Sequence, residues 1–144
     1  MSSESIRVDQ WIYARLSADV TLTGLLSGED RIYPDVAPQG AKFPFVIYQL
    51  QDPGTDTRGG GANRVMVTLT YIVKVVTEST SYAGTLSAIA DRVDALLHGA
   101  PGGVAGDGAV YTCTRENGLR YPEVTPEGQQ IRHLGGKYVI EAAV

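Results

Sequence analysis

One stretch of the chain leaves little freedom about what it folds into. Across residues 64–76, Val65, Val67, Leu69, Tyr71, Val73 and Val75 alternate with Arg64, Met66, Thr68, Thr70, Ile72 and Lys74. A period of two lines up the first set on one face of a β-strand, whereas a helix would scatter it around the axis. A strand this long with one wholly apolar face needs sheet neighbours and an apolar cover. The cover is legible on either side of it. Residues 5–16 place Val8, Trp11, Ile12 and Leu16 at three-and-four spacing, with Asp9, Gln10 and Arg15 towards water, which predicts an amphipathic helix. A short helical piece follows, with Asp19 as N-cap, Leu22, Leu25 and Leu26 turned inward, and Gly28 as its stop. Between residues 80 and 97, Tyr82, Leu86, Ile89, Val93, Leu96 and Leu97 mark a second amphipathic helix, capped by Thr80 or its serine neighbours and ended by Gly99 and Pro101.

The remaining segments supply the sheet. Pro34, Pro38 and Pro44 fall within eleven residues, which forbids a helix and predicts an extended, turning connector up to a β-rich run from Phe45. Pro44 belongs at a strand start or on an edge. Residues 52–63 contain Asp52, Pro53, Gly54 and three successive glycines, 59–61, and read as a long flexible loop. The glycine-rich residues 99–108 read as a second flexible connector. Two further β-like runs, 109–116 and 131–144, close the chain, joined by a loop that holds Pro122 and Pro126. The expected fold is α+β: a mainly antiparallel four-stranded sheet with two main helices on one face, in the order α-β-β-α-β-β. The 144 residues suit one domain spanning 1–144, long enough to bury a core without disulfides or metal.

Composition narrows the chemistry. Cys113 is the only cysteine and reads as a small apolar core residue. The histidines are His98 and His133. His98 sits in the last turn of the second amphipathic helix, where a cation complements the helix dipole. No nucleophile signature surrounds Cys113 to make a dyad with His133, and one cysteine with two isolated histidines offers no metal-ligand spacing. The glycine clusters lack the Lys-Ser or Lys-Thr and the strand-to-helix setting of a phosphate cradle. The reading is therefore a protein with no catalysis and no cofactor. The formal net charge is −4 and the basic residues are scattered singly, which disfavours a nucleic-acid binder. No run approaches the roughly 18 apolar residues of a membrane span, and the first residues show no secretion signal, so no membrane partner is expected.

The connector carries a more specific signal. Arg31-Ile32-Tyr33-Pro34, then Ala37-Pro38-Gln39-Gly40, then Phe43-Pro44-Phe45-Val46-Ile47-Tyr48 resembles the phage tail terminator, or tail completion, family of siphophages. The order of elements is similar too, including a second helix rich in alanine, with Ala83, Ala88, Ala90 and Ala95, and the resemblance runs from about Ile6 to Val144. The sequence departs from the family in the glycine-rich 99–108 segment and the long 52–63 loop.

The resemblance implies a structural virion protein of the tail and neck, assembled in the host cytoplasm. It implies a homohexameric ring seated on the major tail tube protein, which stops tube growth and offers a surface to the head-closure or connector protein, while DNA only passes through the lumen. A head-to-tail interface closes into such a ring when the rotation between subunits closes. For tube or subunit contacts the candidates are Asp52, Asp56, Arg58 and Arg64. Glu78, Asp91, Asp94 and Glu116 are candidate lumen acids, whose charge would keep the passing duplex from sticking. Two alternatives stay open at this point: a head-closure protein of the phage neck, separable by binding to the portal side, and a small non-viral protein-binding domain, separable by the lack of any higher oligomer.

Overall fold

The strand that dominates the sequence is also the centre of the fold. The computed structural model describes residues 3–100 and 110–144. In it β3, Arg64–Glu78, turns Val67, Leu69, Tyr71, Val73 and Val75 into the core. Val65 falls beyond the helical cover and is exposed. On one side β3 pairs with β2, Phe45–Arg58, and on the other with β5, Gln130–Ala143. β4, Val110–Val124, continues the sheet beyond β5, and β1, Ile32–Pro34, lies outside β2.

The sheet is therefore five-stranded and mixed, in the order β1-β2-β3-β5-β4, with β1 parallel to β2 and every other pair antiparallel. This corrects the expected four-stranded antiparallel layout. The extra strand comes from Ile32, Tyr33 and Pro34, which pair with Val46, Ile47 and Tyr48 where the proline-rich connector doubles back. The element order is also richer than expected, because three α-helices and a 3-10 turn, Glu29–Arg31, accompany the strands.

One face of the sheet carries all three helices. α1, Ser3–Ser17, buries Val8, Trp11, Ile12 and Leu16, as their spacing requires. α2, Val20–Leu26, is capped by Asp19, whose carboxylate accepts from the Leu22 N–H at 2.8 Å. It stops at Ser27, in the left-handed region at φ 65°, just before Gly28. α3, Thr85–Leu97, buries Leu86, Ile89, Val93 and Leu97 against the sheet. It starts later than expected: residues 80–84 form a turn held by serine hydroxyls, in which the Ser81 N–H reaches Ser79 Oγ and the Ala83 N–H reaches Ser81 Oγ. Serine side chains that bond nearby backbone hold turns rather than helix interiors.

Three further differences share a cause, namely residues that usually break strands but here sit at bulges or edges. The expected 52–63 loop is strand as far as Arg58, and only residues 59–63 turn, closed by the Gly59 N–H on the Asn63 carbonyl at 2.9 Å. Register shifts between Leu50 and Asp52, and between Asp52 and Thr55, absorb Pro53 and Gly54. Gly54 has φ 120°, and a Cβ there would lie 2.6 Å from Val67 Cγ2. β4 likewise runs straight through Pro122, which an edge strand tolerates because no outer neighbour needs its missing N–H. The expected 99–108 connector lies, from residue 101 on, outside the described residues.

Candidate assembly surface

The candidate contact residues lie on a projecting arm. Past Gln51 β2 leaves the helical cover, while β3 stays buried at Leu69 and Val67 before it too comes out: Asp52, residues 55–63, Arg64 and Val65 are all exposed. The Asp52 carboxylate accepts from the Gly54 N–H at 3.0 Å, so it shapes the bulge. Arg64 pairs with Asp56 at 3.4 Å and with the buried Glu4 of α1 at 3.7 Å, so it fastens the arm to its own body. Among the described residues the Arg58 guanidinium has no partner.

The candidate lumen acids do not form one cluster. Glu78, at the end of β3, accepts from Gln129 Nε2 at 2.7 Å. Asp91 is exposed on α3, while Asp94 accepts from the buried Tyr138 hydroxyl at 2.9 Å and ties α3 to β5. Glu116 is exposed on β4 beside a bulge between Arg115 and Asn117.

The sheet face away from the helices carries a second, smaller apolar group. Phe45, Ile47, Val76 and Ile131 are buried there under Tyr33, Ala37, Ala41 and Phe43 of the connector. They floor an open groove of about 450 Å³, rimmed by Lys74, Glu123 and His133. His133 stacks on Tyr121 at 4.3 Å, and its Nε2 donates to Glu123 at 2.8 Å. Lys74 Nζ donates to the Tyr121 hydroxyl. Burial lowers the His133 pKa below its ordinary value, outweighing the bond to Glu123.

The chemistry weighed in the sequence resolves geometrically. Cys113 is buried on the helix face of the sheet and His133 is on the other, so the two cannot act together. Burial pushes the thiol up to about 12, far from a usable nucleophile. His98 lies at the C-cap of α3 rather than in its last turn. Its Nδ1 accepts from the Arg115 N–H at 3.0 Å, which fastens the end of α3 to β4. Among the described residues no three His, Cys, Asp or Glu side chains converge on a metal-sized site.

The sheet ends in two open edges. β1 covers β2 only at residues 46–48, which leaves 49–58 without an outer neighbour among the described residues. β4 has none along all 15 residues, and most of it is exposed. Three of the nine large exposed apolar side chains among the described residues, Tyr111, Tyr121 and Val124, lie on this strand. Sheet edges are expected from the sequence as a route to subunit pairing, but neither β4 as the edge strand nor the Tyr121–His133–Lys74 group is. The signal that could have found the edge is Pro122, since a proline inside a strand marks an outermost one.

A helix-covered sheet with a solvated arm and two free edges is built for contact with other chains, and the comparisons agree. Residues 10–126 match the family model of tail completion protein gp17, so the chain belongs to this family of structural proteins of the bacteriophage virion tail. A solved chain from the virion of a native gene transfer agent particle shares the fold, with a TM-score of 0.64 and 20% identity, over 91% of this chain and 92% of that one. Another solved chain aligns over 97% of this chain and 96% of that one, at a TM-score of 0.45 and 16% identity. No curated protein matches the sequence.

Proposed function

We propose that the protein is the terminator of the tail tube: six copies form a ring on the last ring of major tail tube protein, halt its growth and present the opposite surface to the head-closure protein. The observation that carries this reading is the charged β2–β3 arm, solvated on both faces in a member of a tail completion family. Beyond Met66, where β3 stops pairing with β5, the arm is a two-stranded hairpin without a core of its own, and such a hairpin gains most from burial against a partner. Asp52, Asp56, Arg58 and Arg64 are the residues through which the arm meets the tube or the neighbouring subunit. DNA passes through the lumen without being held, and Glu78, Asp91 and Asp94 are the acids that keep it from adhering.

The test is the mass of the purified protein, by light scattering or native mass spectrometry, alone and then with polymerising tail tube protein. A hexamer, or a monomer that joins tube ends and fixes their length, is the expected result. A protein that stays monomeric or dimeric and leaves tube length unchanged removes the terminator reading. Binding to the portal side instead makes the protein a head-closure component.

A further inference from the structure

The two open edges of the sheet match one another. Each step from β2 to β3, β5 and β4 is antiparallel, so β2 and β4 run in opposite directions at opposite ends of the sheet. Rotation about a ring axis changes neither a strand's sense along that axis nor its inward or outward sense. Side by side in a ring, β4 of one copy therefore meets β2 of the next antiparallel, the polarity that the rest of the sheet already has. We propose that β4 of one copy adds to the outer edge of the β2 arm of the next, so that one sheet continues from subunit to subunit. This rests on the ring reading and names the surfaces that close it.

The sequence of each edge restricts where they join. On β2, residues 46–48 are taken by β1, and Pro53 with its flanking bulges guards residues 50–54. Prolines and bulges are how edges refuse a partner strand. What stays open is the arm end, where Thr55, Asp56 and Thr57 keep regular register. On β4 the regular runs are residues 112–115 and 117–121, between a bulge at each start and Pro122. The charges agree with a second copy as the occupant. Arg58 at the arm end and Glu116 at the β4 bulge are both exposed, opposite in charge and without a partner among the described residues.

Cysteine cross-linking in the full-length protein tests this directly. Neighbouring strands hold Cα atoms about 4.5–5.5 Å apart, within reach of a disulfide. Arg58→Cys is mixed under mild oxidation with each of Thr114→Cys, Glu116→Cys and Asn117→Cys, with buried Cys113 left in place, alone and on tail tube ends. The expected result is a cross-linked pair between Arg58→Cys and at least one β4 variant, and none when either is oxidised by itself. β4 variants that cross-link with themselves would mean a two-fold β4 to β4 contact and overturn the proposal. So would a ring, seen by native mass in the same samples, without any unlike cross-link. If no oligomer forms in either setting, the ring reading fails first and this inference falls with it.

Discussion

Asp19 shows how much one side chain does in a chain this small. Its carboxylate caps α2 and takes two bonds from Arg92 of α3, at 2.8 and 2.6 Å, so one residue starts one helix and pins another. The Arg92 guanidinium, ahead of burial and of the cap bond, sets its pKa below the ordinary 3.8. Asp19→Ala is expected to cost about 1 kcal/mol from the lost cap alone, read by urea denaturation. A carboxylate with a depressed folded pKa stabilises above its unfolded value of 3.8 and loses that contribution as pH falls through the folded one. The stability gap between the wild type and Asp19→Asn should therefore be widest near pH 7 and shrink below pH 3.8. A gap that stays constant with pH would remove the charge from the account. Gly135 makes the steric counterpart. A Cβ there would lie 2.1 Å from the Val73 carbonyl oxygen, a backbone atom that cannot turn aside, whereas Gly60 at the arm tip meets nothing within 4 Å. Overfilling a packed site costs about 1–3 kcal/mol, and contact with backbone puts Gly135→Ala at or beyond the upper end. Gly60→Ala should leave the melting temperature unchanged.

At the scale of elements, the β4–β5 hairpin stakes part of its stability on His133. Because burial lowers its folded pKa, the unfolded chain takes up a proton below about pH 6.5 that the folded chain refuses, and stability falls as pH drops from there through the folded value. His133→Phe keeps the ring on Tyr121 and leaves only the exposed Glu123 without its bond. Chemical denaturation should find the variant at least as stable as the wild type at pH 7, and without the decline below pH 6.5. What the sequence disclosed about elements follows the strength of each pattern. Val8, Trp11, Ile12 and Leu16 announce α1 because four large apolar residues share one face, and β3 announces itself by strict alternation. Residues 32–34 form too short a run to be read as a strand, and their parallel pairing depends on a connector whose return path no local pattern encodes. Asp52, Pro53 and Gly54 read as a loop because bulges that accommodate them are tertiary features. Asp9, placed towards water by its position on the helix, instead accepts from the Tyr71 hydroxyl at 2.6 Å, and that partner is 62 residues away. The candidate arm residues were legible as a charged, glycine-bearing segment. Their arrangement, with Arg64 turned back to Glu4 and Arg58 facing out, was not, because it is set by the hairpin register.

For the whole molecule, the proposed ring raises the question of how a protein that encircled DNA would avoid holding it. Part of the answer is the formal charge of −4 on every copy. The rest is where six of the nine arginines point. Arg7 donates to the Ala143 carbonyl, Arg15 to Leu96, Arg31 to Phe43 and Arg132 to Thr80, while Arg92 and Arg64 pair with Asp19 and with Asp56 and Glu4. Binding to phosphates needs cations free to replace condensed counterions, and each that is already bonded within its own fold has to give up that bond first. The protein, alone or as a ring, should therefore bind duplex DNA more weakly than about 10⁻⁴ M at physiological salt, the weak end of ordinary non-specific binding. Fluorescence anisotropy of a labelled duplex across a salt series measures this. Asp52→Lys with Asp56→Lys, on an arm that leaves the core untouched, should bind measurably tighter and with a steeper salt slope. Wild-type binding in the micromolar range that weakens steeply with salt would mean that the protein grips the duplex, and the reading of free passage through the lumen would have to be given up.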